Sequence, residues 1–152
     1  MVRREREARS MRELAAKMRE RLDTLARAYS KRLKAIAGYA ELSRTERLDA
    51  ARAALGMVVD YVDSGDDAAF LQSIQDLVDT RMKQGWSAES LLQALSALEE
   101  TVRPSVTTIK AAKLLWPAFS KAHGVVATGA LRTLREGEQR FRQMVEAAGD
   151  IL

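Results

Sequence analysis

The sequence predicts an all-α bundle of five to six or more helices, with long first and last helices, on three observations. Only two prolines and eight glycines interrupt its 152 residues. Residues with high helix propensity, chiefly Ala, Leu, Arg, Glu and Gln, dominate the composition. Apolar side chains recur at three- and four-residue steps, and no window alternates in the two-residue rhythm of a strand.

The first segment, from about Glu5 to Ala40, sets Met11, Leu14, Met18, Leu22, Leu25, Tyr29, Leu33 and Ile36 on one narrow stripe. Such a seam suits a partner helix, either in the same chain or in a second copy. Ser43-Arg44-Thr45-Glu46 has the spacing of a capping box and starts a second helix, which places Leu48, Ala51, Leu55, Val58, Val59 and Val62 inward. Gly65 ends it, because glycine takes the left-handed conformation without steric cost. Asp66 or Asp67 caps a third helix built on Phe70, Leu71, Ile74, Leu77, Val78 and Met82, and Gly85 closes it. Ser87 caps a fourth helix with Leu91, Leu92, Leu95, Leu98 and Val102 inward. Pro104 marks the next break. A fifth run is expected from about Ser105 to Leu115, with Trp116-Pro117 either interrupting it or kinking a continuous helix. The last run extends from Ala118 to about Ala148. Its glycines at 124, 129 and 137 each cost about 1 kcal/mol against alanine, and close approach of a neighbouring helix would account for them.

Composition narrows the chemistry. A length of 152 residues with 47% apolar side chains fits one domain with a core of its own. There is no cysteine and one histidine, so disulfides, thiolate sites and multi-histidine metal centres are excluded. No secretory leader and no membrane-length apolar run is visible, so a cytoplasmic protein without a membrane partner is expected. Charge is uneven. Residues 1–50 carry 14 basic and 8 acidic side chains, residues 51–107 carry 4 and 9, and residues 108–152 carry 7 and 4. That pattern predicts complementary contacts between copies or with other proteins.

Candidate sites are few. His123, beside Gly124 and near Lys121, reads as a packed or partly exposed imidazole rather than a haem ligand. Asp60, Asp63, Asp66 and Asp67 surround the turn at Gly65 without the ordered spacing of a calcium loop, and read as caps and a solvated turn. Arg3, Arg4, Arg6, Arg9 and Arg12 are interleaved with Glu5, Glu7 and Glu13, which blunts a phosphate-binding field, so no nucleic-acid partner is expected. Trp86, Trp116 and Phe119 are the candidates for lining a pocket, against the plainer role of covering one end of the core. Ser105, Thr107 and Thr108 have no base nearby in sequence and read as helix-start hydroxyls. No nucleophile with a base, carboxylate pair or phosphate loop is visible, so neither catalysis nor a cofactor is expected.

Two stretches resemble known families. Val62-Asp63-Ser64-Gly65-Asp66, followed by the run from Arg81 to Glu100 with its "S-x-E-x-L-L-x-A-L" pattern, resembles the N-terminal sensor domains of RsbR-type co-antagonists of the bacterial stressosome. The tail Glu136–Leu152, with "E-x-R-F-R-x-M-V-E" before Ala148-Gly149-Asp150-Ile151, resembles the helix and first strand at the entry to a PAS domain. The first resemblance implies a globin-like fold that binds no haem, forms homodimers and projects from a core of STAS domains. Globins hold haem by a mid-chain histidine, and the corresponding region, Leu91–Leu98, has none. Together the two imply a sensor domain over residues 1–135 and a connector helix over 136–152, leading into a PAS-like domain. A homodimer would then pass a conformational change to an output domain of STAS or kinase type, with stressosome-type STAS proteins as partners. Independently, Leu131, Leu134, Phe141, Met144 and Val145 form an apolar seam at near-heptad spacing on the last helix, fit to pair with a second copy. Two other readings of the same residues are a helical nucleic-acid-binding regulator, favoured only by the basic start, and a structural oligomerisation module.

Overall fold

The computed structural model describes residues 2–151. The described residues form six α-helices: α1 Val2–Glu20, α2 Leu22–Leu33, α3 Arg44–Ser64, α4 Asp67–Lys83, α5 Ala88–Val102 and α6 Ile109–Ile151. Short 3-10 turns at Tyr39–Glu41 and Arg103–Ser105 join neighbours, and no strand occurs among the described residues. The fold is an all-α helical bundle.

Five helices close a ring. α3 packs on α2, α2 on α5, α5 on α6, α6 on α4, and α4 back on α3. α1 prolongs α2 along the other half of α3. Leu33, Leu55, Val58, Val62, Leu98, Val102, Leu115 and Phe119 meet inside the ring, essentially inaccessible to water. Burying each of these side chains contributes about 1.5–3 kcal/mol.

Most of the local punctuation sits where the sequence puts it. Ser43 and Glu46 form the reciprocal capping box at the head of α3. Gly65 takes φ +72° at its end, and its N–H bonds the Tyr61 carbonyl at 2.7 Å. Asp66 caps α4 through Ala68 N, and Ser87 caps α5 through Ser90 N.

Several expectations are corrected. The first segment is not one helix to Ala40. It is distorted at Arg21, whose N–H is shared between the carbonyls of Lys17 and Met18. It then ends at Leu33, because Gly38 turns the chain at φ +88°. The fifth run does not start at Ser105. Pro104 lies in a 3-10 turn, and helix resumes at Ile109, with the Thr108 hydroxyl accepting from Ala111 N. Pro117 does not break the chain, since α6 runs through it for 43 residues. Ala148–Ile151 is helical and not the start of a strand, because a strand needs a ladder partner and the described residues offer none. Leu152 lies outside the described residues. Of the three late glycines, only Gly129 meets a neighbouring helix, where a Cβ would stand 2.8 Å from Val78 Cγ1. Gly124 and Gly137 face open space.

The charge asymmetry is largely used within the chain. Arg19 of α1 reaches Asp60 at 3.4 Å and Asp63 at 3.2 Å on α3. Arg32 pairs with Glu100 at 2.6 Å, Arg52 with Asp23 at 3.2 Å, and Lys121 with Asp67 at 2.7 Å. These pairs are exposed, so each adds little stability; those of Arg19 and Arg32 join the basic first third to the acidic middle.

Candidate functional site

An uncovered seam on α6 and a largely apolar cleft between α3 and α4 are the two candidate sites.

The two apolar stripes read from the sequence have opposite fates. Met11, Leu14, Met18, Leu22, Leu25 and Tyr29 all pack into the chain's own core. The N-terminal seam is therefore satisfied within one copy, by α3 and α5, and is not free to join a second. The Tyr29 hydroxyl confirms the register by donating to the Ala94 carbonyl of α5 at 2.9 Å.

The C-terminal seam is open. Every described residue from Leu131 to Gly149 is exposed. At 1.5 Å per residue this exposed part of α6 is about 28 Å long; its first turns run beside the end of α4, where Arg132 stands 3.9 Å from Asp79, and the rest projects. Leu134 and Phe141 are 69% and 65% exposed, and Leu131, Met144 and Val145 are comparably bare. Leu131, Leu134, Glu138, Phe141, Val145 and Ala148 follow one another at alternating three- and four-residue steps, the spacing of a two-helix seam. Glu138 is the polar member of this row, missed by a search for apolar residues alone. It accepts from Arg142 within its own helix at 3.4 Å.

The cleft lies where α3 and α4 diverge. Ala50, Ala53, Ala54 and Met57 of α3 form one wall, Ser73, Asp76, Leu77, Thr80 and Arg81 of α4 the other, and Tyr29, Leu33 and Tyr39 the floor. Its volume is about 470 Å³, within the range of small-molecule sites. It shares Tyr29, Tyr39, Ala54, Met57 and Leu77 with an inner apolar cavity of about 30 Å³ that reaches Ile74, Leu95 and Val126. The inner cavity has room for about one or two waters, and none for a porphyrin.

Arg81 closes one end of the cleft. Its guanidinium carbon lies 4.3 Å from the Trp86 ring centre and 5.6 Å from that of Tyr39. The two rings meet edge to face at 4.6 Å. Trp86 is held there by Gly38, where a Cβ would lie 2.7 Å from Trp86 Cε3. Arg47 fastens the same loop by donating to the carbonyls of Tyr39, Ala40 and Leu42. Arg81 donates to Gln84 Oε1 at 3.4 Å, and it also hydrogen-bonds the Tyr39 side chain, which works against the rise that burial gives that hydroxyl. Its Nε–H is buried without an acceptor, a condition that costs about 1–3 kcal/mol or more for a charged donor. Burial pushes the Tyr39 hydroxyl above its ordinary pKa, against the opposing pull of the Arg81 charge.

The residues proposed from sequence as pocket lining do not line this space. Phe119 is fully buried in the ring, 5.9 Å from Phe70. Trp116 lies within α6, not at a helix boundary, 6.1 Å from Phe119 and beneath Arg103. Trp86 contributes only by supporting Arg81 and Tyr39. Sequence reasoning missed Arg81, Tyr39 and Met57 altogether. The one local signal was the density of alanines at 50, 51, 53 and 54, which leaves room beside a helix.

His123 sits on α6 against α5, its Nε2 3.9 Å from Glu99 Oε1, away from the apolar cavity. Asp60, Asp63, Asp66 and Asp67 serve ion pairs and a helix cap, as the turn reading expects. Among the described residues no group of three or more histidine, aspartate or glutamate side chains is placed to hold a metal ion, and no helix is long and apolar enough to cross a membrane.

No family of known proteins, no curated protein and no solved structure matches the chain.

Proposed function

We propose that the chain is a non-enzymatic signal-input and dimerisation domain of a bacterial stress-signalling regulator, a non-haem globin-like sensor of the kind its helix-turn motifs resemble. The bundle over residues 1–135 would receive the signal. The projecting part of α6, with residues 136–152 as connector, would pair with that of a second copy and pass a shift or rotation to a PAS, STAS or kinase-type output domain. One observation carries the reading. Five large apolar side chains, Leu131, Leu134, Phe141, Met144 and Val145, stand in water on the last part of α6. Water penalises that exposure, and pairing two such helices relieves it. A continuous helix from core to tip, unbroken at Pro117, suits transmission, because packed helices shift as rigid bodies between discrete arrangements.

Light scattering on the chain after size exclusion tests the pairing. At tens of micromolar the mass is expected at twice the 16.9 kDa of one copy. The double substitution Leu134→Glu and Phe141→Glu is expected to return a single copy with unchanged helix content. A strictly monomeric parent chain sinks the proposal.

A further inference from the structure

We propose that the cleft between α3 and α4 is a binding site for a small organic carboxylate with an aromatic or branched apolar body, and that Arg81 is the group that holds its charge. Four observations carry this. The cleft is about 470 Å³ and is lined chiefly by alanines, Met57 and two tyrosine rings, a surface that favours an apolar, flat body. It shares five lining residues with the small inner cavity, so its floor is backed by a dry apolar space. Met57, half-buried and shared by both spaces, is the flexible side chain that can move aside. At the polar end Arg81 is stacked on Trp86, has no carboxylate within 4.0 Å among the described residues, and keeps a buried Nε–H with no acceptor.

The arrangement selects an anion and orients it. A guanidinium without a carboxylate partner of its own binds one through charge-assisted hydrogen bonds, and the planar fork of Arg81 is already fixed by the ring beneath it. The Thr80 hydroxyl, next in sequence on the same wall, can donate to the second oxygen. Asp76, the acidic residue in the lining, is engaged by Gln72 Nε2 at 3.0 Å. It repels a negative head from its own part of the cleft and so directs that head toward Arg81. Neutral apolar molecules would gain the floor but leave the Arg81 charge without a carboxylate partner.

This inference does not depend on pairing of α6, because the cleft is complete within one copy. Calorimetric titration of the whole chain with 4-phenylbutyrate, beside 4-phenylbutan-1-ol, tests it. The acid is expected to bind at about 0.1 mM or tighter for a ligand of this size. The alcohol is expected to bind at least about tenfold more weakly, since it lacks the charge-assisted bond. Arg81→Gln is expected to weaken the acid about tenfold while leaving the alcohol unchanged. Ala53→Leu, made from the opposite and exposed wall, is expected to abolish binding of both by filling the cleft. Circular dichroism establishes that each variant is folded. Arg81→Lys, which keeps the charge without the planar fork, is the replacement if the glutamine variant does not fold, and the same weakening is then expected. No heat from the acid at millimolar concentration, equal affinity for acid and alcohol, or unchanged binding in either the Arg81 or the Ala53 variant each overturns the proposal.

Discussion

The Tyr61 hydroxyl donates to the Leu114 carbonyl across 2.8 Å and ties α3 to the turn of α6 that precedes Pro117. Proline has no N–H to offer the Lys113 carbonyl and crowds the turn before it. The Tyr61 bond meets the next carbonyl, that of Leu114, so it pins this turn of α6 to α3 without replacing the bond that Pro117 removes. Replacement Tyr61→Phe is expected to cost about 1 kcal/mol, the net value of a neutral hydrogen bond. Urea unfolding followed at 222 nm would measure it; an unchanged midpoint would show that the bond carries no weight.

Alkali is expected to unfold this protein before acid chemistry matters at the same groups. Tyr29, Tyr39 and Tyr61 all have pKa values raised above the ordinary value of 10.0, each chiefly by burial. Near Tyr61 the Asp67 carboxylate adds to the effect. A folded-state pKa above the unfolded one means that the folded chain holds the proton more tightly. The stabilisation is whole below about pH 10 and is lost as pH rises through the folded-state values. Each tyrosine held protonated removes about 1.4 kcal/mol of stability per pH unit in that window. Absorbance of tyrosinate at 295 nm should therefore appear together with loss of helix, and tyrosinate forming near pH 10 in a still-helical chain would contradict the burial argument.

Gly129 and Gly56 should respond in opposite ways to alanine. At Gly129 a methyl group would meet Val78 Cγ1 at 2.8 Å, in the contact between α4 and α6. The expected loss is about 1–3 kcal/mol, typical of overpacking. At Gly56, within α3, nothing lies within 4 Å of the added carbon. There the helix gains about 0.5–1 kcal/mol. Paired thermal melts would separate the two, and a stabilised Gly129→Ala would show that Val78 yields freely.

The capping box at the start of α3 should be worth its usual amount. Ser43 Oγ accepts from Glu46 N at 3.1 Å, while Glu46 Oε1 accepts from Ser43 N at 3.3 Å. Ser43→Ala is expected to cost about 1 kcal/mol. Hydrogen exchange should quicken in the first turn of α3 and nowhere else; a uniform change along α3 would mean that the cap acts through packing instead.

Much of this fold is legible from local chemistry. The helix caps at Ser43, Asp66 and Ser87 and the glycine stop at Gly65 are interactions between residues two to four apart, so spacing alone reveals them. Gly38 was missed as a stop because its requirement comes from Trp86, 48 positions away in sequence. Local chemistry does not decide between a break and a continuous helix at Pro117, because the packing of α6 against α4 and α5 sets the outcome. The cleft was illegible for the same reason. Arg81 reads in isolation as one more surface cation, and only the stacking of Trp86 and Tyr39 buries its Nε–H.

By itself the sequence determined a helical chain, its main starts and stops, the absence of thiol chemistry, and two stripes that avoid water, because each of these is set by side chains within a few turns of one another. Only the tertiary structure decided which stripe is covered. The first closes onto α3 and α5, and the apolar side chains of the last stay exposed among the described residues. Periodicity records that a helix face is apolar, whereas its partner is chosen by the arrangement of all the helices together.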